Sequence, residues 1–180
     1  EGDAFNQVLV DRSRTRIRGL GFFKDVDVKN SPGSQPDRTD ITVSVTEQST
    51  GSLQLGLGYS SQSNLVGEFS YTEQNLFGRG DFLQASVSVS QITKEYKAAF
   101  TEPYLLGSDR PALAGGIQLF RAQTDYQQAT FEQDTTGGTF SLYFPVSEYS
   151  TVGVNYSYEV AQVLPFGGAP LVILLAAGQT

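Results

Sequence analysis

The stretch Gly51-Ser-Leu-Gln-Leu-Gly-Leu-Gly-Tyr-Ser60 decides the fold, because large apolar residues alternate along it with polar or small ones. The apolar positions are Leu53, Leu55, Leu57 and Tyr59. A period of two places successive side chains on opposite faces of an extended strand. The stretch therefore predicts a β-strand with one apolar face and one face of polar or small residues.

Six further segments show the same alternation and are bounded by turn-forming residues. They lie at Phe69–Tyr71, Leu83–Val89, Tyr96–Phe100, Leu113–Leu119, Phe140–Phe144 and Val152–Tyr158. The sequences Gly78–Asp81 and Leu106–Pro111 predict short connections, whereas the polar stretch Thr124–Gly137 predicts a longer loop. Strands of about nine to eleven residues with short turns on one side and longer loops on the other are typical of transmembrane β-barrels.

A soluble β-sandwich also has alternating strands, and it is the main structural alternative. Three features favour the barrel. The polar positions are rich in Gly, Ser and Gln rather than in Lys and Glu, as expected for a wall that faces a lumen. Tyr and Phe concentrate near the predicted strand ends, where barrels have aromatic girdles. The predicted strands are also longer than the usual five or six residues.

Residues 1–50 follow a different pattern, which predicts a small α+β unit. An apolar helical face is formed by Leu9, Ser13, Ile17 and Leu20. Four arginines fall outside that face: Arg12, Arg14, Arg16 and Arg18. Gly19 and Gly21 are stop signals for the helix. A hairpin is expected next, with strands at Val26–Val28 and Asp40–Glu47 separated by the turn-rich stretch Asn30–Asp37.

The composition excludes several classes of function. The sequence of 180 residues contains no His and no Cys, so Ser-His-Asp and Cys-His nucleophile systems and ordinary zinc sites cannot be built. Those catalytic systems and zinc sites are therefore excluded for this sequence. The net charge of −7 argues against binding to nucleic acid, whose phosphates require a basic surface.

Several motifs occur in an order that resembles the BamA-type outer-membrane insertase family, in which periplasmic POTRA domains precede a β-barrel. They are Glu1-Gly2, Arg18-Gly-Leu-Gly-Phe-Phe23, Val26-Asp-Val28, Val45-Thr-Glu-Gln-Ser-Thr-Gly-Ser52, Gly56-Leu-Gly-Tyr59, Gln74-Asn-Leu-Phe-Gly-Arg-Gly80, Thr101-Glu-Pro-Tyr104 and Phe144-Pro-Val-Ser-Glu-Tyr149. The resemblance covers roughly residues 1–160, and no part of the sequence resembles the later barrel strands of the family.

The resemblance implies three regions. Residues 1–48 correspond to the C-terminal part of the last POTRA domain, and 51–160 to the first seven antiparallel strands of a transmembrane β-barrel. Residues 161–180 form an apolar tail that we leave unassigned. Because bacterial barrels have an even number of strands from eight upward, we expect this sequence to be a fragment that is not active alone. The expected location is the bacterial outer membrane, with the POTRA part in the periplasm.

The resemblance implies assembly and insertion of outer-membrane proteins, with unfolded client proteins, the lipid bilayer and accessory lipoproteins as partners. It also implies that the protein is not an enzyme and that it uses no metal or other cofactor. In the family the first barrel strand pairs with client strands, which assigns client pairing to seven residues: Gly51, Leu53, Leu55, Gly56, Leu57, Gly58 and Tyr59. The glycines are expected to weaken this strand's own pairing, as a gate requires. The alternative is that they fit a tight barrel wall against bulky neighbours.

The sequence also contains candidate residues for a partner contact and an adhesion motif, and it leaves two alternative functions open. Glu1, Arg12 and Arg16 could contact an accessory lipoprotein, although a solvated helix face accounts for them equally well. The tripeptide Arg79-Gly-Asp81 matches an adhesion motif, but it lies in a predicted turn where Gly and Asp are expected for structural reasons. The rival functions are a translocation pore of the same superfamily, of the two-partner secretion type, and a soluble β-sandwich binding module.

Overall fold

The computed structural model describes residues 5–35, 38–107, 113–126, 130–147, 150–165, 167 and 171–178. The chain divides into two compact units, Glu1–Thr50 and Gly51–Thr180. Both contain antiparallel sheets, so the predicted mainly β architecture is confirmed. Among the described residues, no helix has the length and apolar character needed to cross a membrane.

The first unit consists of a helix followed by a two-stranded sheet. Helix α1 spans Gln7–Gly19, and strands β1 (Phe23–Pro32) and β2 (Thr39–Glu47) pair in antiparallel fashion. The helix begins where the Asn6 side chain accepts a hydrogen bond from the backbone N–H of Val8, a typical N-cap. Val26, in β1, is the one fully buried apolar residue that the described part of the chain contains.

The predicted face of α1 is wrong in part. The half-buried residues of the helix are Val10, Arg14 and Ile17, whereas Leu9 and Ser13 are exposed. The guanidinium groups of Arg14 and Arg18 donate hydrogen bonds to the carbonyl oxygen of Val26, at 3.3 and 3.4 Å. Long arginine stems can lie along an apolar surface while their charged ends reach a polar acceptor. These two arginines therefore need not lie on the side of the helix that faces away from the sheet.

The hairpin of the first unit is longer than the sequence predicts. β1 continues into the stretch expected to form a turn, since Asn30 pairs with Ile41 and Pro32 with Thr39. The Asn30 side chain also donates a hydrogen bond of 2.9 Å to Gln7 of α1. Turn-type residues such as Asn and Pro can occupy the end of an edge strand, which is why the pattern placed the strand end too early.

The second unit is a seven-stranded sheet in which the strands follow one another in chain order, and every neighbouring pair is antiparallel. Its strands are β3 (Gly51–Ser60), β4 (Asn64–Leu76), β5 (Asp81–Val89), β6 (Thr93–Glu102), β7 (Ala114–Tyr126), β8 (Phe131–Ser147) and β9 (Ser150–Pro165). A six-residue helix, α2 (Leu171–Ala176), follows β9. The unassigned tail therefore supplies the end of β9 and, within its described residues, one short helix.

The stretch Thr124–Gly137, predicted to be a long loop, is mostly strand. β7 and β8 pair continuously up to Tyr126 and Phe131, whose rings stack with centroids 4.9 Å apart. Farther from the connection between these two strands, Arg121 of β7 and Asp134 of β8 form an ion pair, with 2.6 Å between Nη2 and Oδ2. Cross-strand pairs of this kind stabilise a sheet without an alternation of apolar and polar residues, so the hairpin gave no signal in the sequence.

The seven strands form one continuous sheet. A β-sandwich requires two sheets packed face to face with a shared apolar core. In the second unit, among the described residues, no apolar side chain is fully buried. The sandwich alternative therefore does not describe this structure.

Candidate functional site

The register of the sheet aligns the alternation of every strand, which produces two faces of different chemistry. The face that we call the apolar face contains, among others, the register row Leu53, Tyr71, Ala85, Ala98, Leu119, Gly138 and Tyr158. The face that we call the polar face contains the adjacent row Ser52, Thr72, Gln84, Ala99, Gln118, Thr139 and Ser157. Each face runs from β3 to β9, and the Arg121–Asp134 ion pair lies on the apolar face near the connection between β7 and β8.

The polar face is internally hydrogen-bonded. Lys97 and Glu95 form an ion pair of 2.7 Å along β6, and the hydroxyl oxygens of Thr139 and Ser157 lie 2.9 Å apart across β8 and β9. Hydroxyl, amide and charged groups can be satisfied either by one another or by water. This face is therefore suited to an aqueous compartment.

The apolar face is exposed in the isolated chain. Leu55 and Leu57 of β3 are 78% and 85% exposed, and large apolar side chains of β4 to β9 are also exposed. Soluble monomers rarely present contiguous apolar patches larger than a few hundred Å². Burial of such surface is favourable by about 25 cal/mol per Å², so a face of this extent requires an apolar cover.

β3 is an edge strand, which brings all seven predicted client-pairing residues together. It pairs with β4 over its whole length, from Gly51 with Glu73 to Ser60 with Asn64, and the described residues include no strand on its other side. An edge strand presents unpaired backbone N–H and C=O groups to which another extended chain can bind. The site can therefore bind a strand through the backbone, with little dependence on its sequence.

The three glycines of β3 differ in what surrounds them. A Cβ at Gly58 would meet no atom within 4 Å, and one at Gly56 would lie at an ordinary distance of 3.5 Å from the Glu68 Cβ. At Gly51, by contrast, a Cβ would lie 2.9 Å from a carboxylate oxygen of Glu73 and 3.2 Å from the hydroxyl of Tyr71. Close neighbours are therefore present at Gly51 and not at the other two glycines, and at Gly51 they are the ends of two flexible side chains.

A charged cluster between the β4–β5 turn and the end of β6 was not predicted. Arg79 lies 3.3 Å from Glu102 and 3.6 Å from Asp81, measured between side-chain nitrogen and oxygen. The Asp81 side chain is only 5% exposed, so the adhesion motif that includes it is not displayed for a partner. The signal was available, because Arg79 and Glu102 belong to two of the quoted motifs, but only the register shows that these motifs meet.

The residues predicted to contact an accessory partner lie in the first unit. Arg12 and Arg16 are exposed on α1. Glu1 lies outside the described residues. The part of the chain that the structure describes contains no group of three or more His, Cys, Asp or Glu side chains placed to hold a metal ion.

Comparisons with known proteins find similar proteins of the bacterial outer membrane and the chloroplast outer envelope. A family model described as the Omp85 superfamily domain matches residues 75–174. The outer membrane protein assembly factor BamA of Nitratidesulfovibrio vulgaris is 32% identical over 159 residues, which cover 88% of this chain and 20% of that protein. The chloroplastic outer envelope protein 80 of Oryza sativa subsp. japonica is 28% identical, with 90% of this chain and 27% of that protein covered.

A solved structure shows the same fold. The crystal structure of BamA from Haemophilus ducreyi lacking POTRA domains 1-3 superposes with a TM-score of 0.71 at 24% identity, covering 86% of this chain and 29% of that one. The chain thus spans between 20% and 29% of the lengths of these three proteins. Because the family model matches 100 of the 180 residues (75–174), the chain belongs to the Omp85 superfamily.

Proposed function

We propose that the protein to which this sequence belongs assembles and inserts β-barrel proteins in a bacterial outer membrane, and that incoming client strands pair with the free edge of β3. The names of the relatives support assembly rather than the translocation-pore alternative, because BamA of Nitratidesulfovibrio vulgaris is an assembly factor by name. The observation on which client pairing depends is that β3 is an edge strand whose apolar side chains are exposed. The proposal concerns the full-length protein, and we expect the 180 residues alone to be inactive.

The bilayer is the proposed cover of the apolar face. In hydrocarbon, exposed Leu, Val, Phe and Tyr side chains are favourable, whereas an unpaired backbone group costs several kcal/mol. The apolar face of the sheet presents such side chains, apart from the Arg121–Asp134 ion pair near the connection between β7 and β8. Its backbone groups are paired between neighbouring strands and unpaired at the two edges. A client strand that pairs with β3 would satisfy the backbone groups of this edge, which gives the interaction its driving force without any nucleotide.

We also propose that residues 1–48 are part of a periplasmic POTRA domain and that 51–160 belong to the barrel. The 159-residue match to BamA is longer than the 130 residues of the second unit (180 − 50), so the similarity extends into the first unit. The order of a helix followed by a hairpin agrees with this proposal. The exposed Arg12 and Arg16 would then be available to an accessory lipoprotein on the periplasmic side.

The test is a crosslink in the full-length protein. A cysteine replaces Leu55, and a second cysteine is placed in the terminal strand of a client; we expect oxidation to join the two proteins. The matched control replaces Phe69, the register partner of Leu55 on the interior strand β4, where pairing with a client is blocked by β3 and β5. A crosslink at Leu55 that does not exceed those of the Phe69 control and of a scrambled client would overturn the client-pairing proposal.

A further inference from the structure

The start of β3 is covered by two side chains of the neighbouring strand. Tyr71 and Glu73 of β4 lie against the backbone of Gly51, and the Tyr71 hydroxyl donates a hydrogen bond of 3.3 Å to Glu73 Oε2. Glu73 Oε1 accepts a second hydrogen bond, 3.0 Å long, from the backbone N–H of Asn75. We call this arrangement the Gly51 contact. The two hydrogen bonds hold the Glu73 carboxylate against Gly51, which has no side chain in its way.

β3 has an unusual need for such a contact. Strands that are rich in glycine specify their register weakly, and Gly51, Gly56 and Gly58 make up three of its ten residues. The loop between β3 and β4 consists of residues 61–63. If the loop moved to residues 62–64, its length would stay the same and β3 would shift by two residues against β4. Each side chain of β3 would then remain on its present face of the sheet.

The Gly51 contact opposes that shift. In the shifted register Leu53 instead of Gly51 would face Glu73, so the Glu73 carboxylate and the Tyr71 hydroxyl would have to turn away and lose the arrangement in which they are hydrogen-bonded. At the other end of the strand, the Ser60 hydroxyl oxygen accepts hydrogen bonds from the backbone N–H groups of Gln62 and Ser63, at 3.2 and 3.4 Å. The loop contact and the Gly51 contact are thus two separable candidates for what fixes the register.

We propose that the Gly51 contact fixes the register of β3, with Tyr71 and Glu73 as positioning residues for the strand edge that receives clients. This inference rests on the proposed function. The register of β3 against β4 sets the position of β3 in the barrel. A client strand that pairs with β3 is placed by that position, which sets which client residues meet the bilayer. Gly51 thereby has a role different from that of Gly56 and Gly58, which no close neighbour requires to be glycine.

The test measures the register in the full-length protein with two cysteine pairs. Gln54 and Ser70 are direct partners, so a disulfide between cysteines at these positions reports the observed register. Gln54 and Thr72 are diagonal neighbours, about 7–8 Å apart, which is too far for a disulfide until the strand shifts by two. The variants are Tyr71→Phe with Glu73→Ala, and Glu73→Gln, which retains an acceptor for the Tyr71 hydroxyl. Glu68→Ala, on the polar face of β4, is the matched control.

We expect the Gln54–Thr72 disulfide to rise about fivefold or more in the Tyr71→Phe, Glu73→Ala variant, as for the loss of about 1 kcal/mol, and to stay at background in Glu73→Gln and Glu68→Ala. Only protein that migrates as a folded barrel is compared. If the double variant yields only the Gln54–Ser70 disulfide, the loop suffices and the inference is overturned, while client pairing is unaffected. If the register shifts in the double variant but a cysteine at Leu55 of the unaltered protein gives no client crosslink above the Phe69 control, the Gly51 contact stands and client pairing at β3 is overturned.

Discussion

The two faces of the seven-stranded sheet contain residues from the same strands, yet they suit different solvents. On the polar face, Glu95 pairs with Lys97 and Thr139 with Ser157, so polar groups satisfy one another or water. On the apolar face, leucine, valine and aromatic side chains remain exposed from β3 to β9. In a soluble protein the second face would be the core, whereas here the described residues provide no layer that covers it.

The difference shows what replaces a hydrophobic core in this unit. Continuous backbone pairing, rather than apolar packing, holds the seven strands together, since each strand is hydrogen-bonded to the next along its register. The first unit follows the ordinary rule on a small scale, because Val26 is buried. The comparison of the two faces therefore makes predictions about substitutions that differ only in which face they alter.

The largest expected effect is a charge on the apolar face. In the full-length protein, Ala85→Arg places a guanidinium in the middle of β5 on the face that we assign to the bilayer, and we expect it to lower the free energy of unfolding by about 2–4 kcal/mol. The matched variant Gln84→Arg alters the adjacent residue on the polar face and should change stability by less than about 0.5 kcal/mol. Urea unfolding in lipid vesicles measures both values. Equal losses in the two variants would contradict the assignment of the faces.

A smaller effect is expected from filling a close approach on the polar face. A Cβ at Gly137 would lie 2.7 Å from the Phe120 ring and 2.8 Å from the backbone carbonyl oxygen of Tyr158, which cannot move without disturbing β9. We expect Gly137→Ala to destabilise the full-length protein by about 1–3 kcal/mol, as other overpacked sites do.

The control for that substitution is Gly58→Ala, on the polar face of β3. A Cβ there would meet no atom within 4 Å, so the loss should be much smaller. Both variants are measured by the same urea unfolding in vesicles. If Gly58→Ala costs as much as Gly137→Ala, the loss of glycine itself rather than the Phe120 and Tyr158 contacts accounts for the effect.

The sequence was sufficient to predict the strands whose alternation is undisturbed. The pattern at Gly51–Ser60 predicted β3 correctly because each side chain there follows the period of two. It failed at Thr124–Gly137, where residues such as Gln133 and Asp134 are polar and still belong to paired strands. The preference of such residues for a loop is a local property, and cross-strand pairing outweighs it.

The sequence predicted the strand that forms the candidate site but not the side chains that lie beside it. Its seven residues follow from one motif, and the structure places all of them in β3. The Gly51 contact could not be predicted, because Tyr71 and Glu73 are some twenty residues away along the chain and meet Gly51 only through the register of β3 with β4. For the same reason, the sequence did not predict that Arg14 and Arg18 of α1 donate hydrogen bonds to the Val26 carbonyl oxygen.

The central claim is that the apolar face meets hydrocarbon while the polar face meets water. The most direct measurement is the labelling of single cysteines in the full-length protein, in vesicles, by a water-soluble thiol reagent. On β5, cysteines at Leu83, Val87 and Val89 should be protected, and those at Ser86 and Ser88 should be labelled. Strong labelling at Leu83, Val87 and Val89 with protection at the two serine positions would contradict the account.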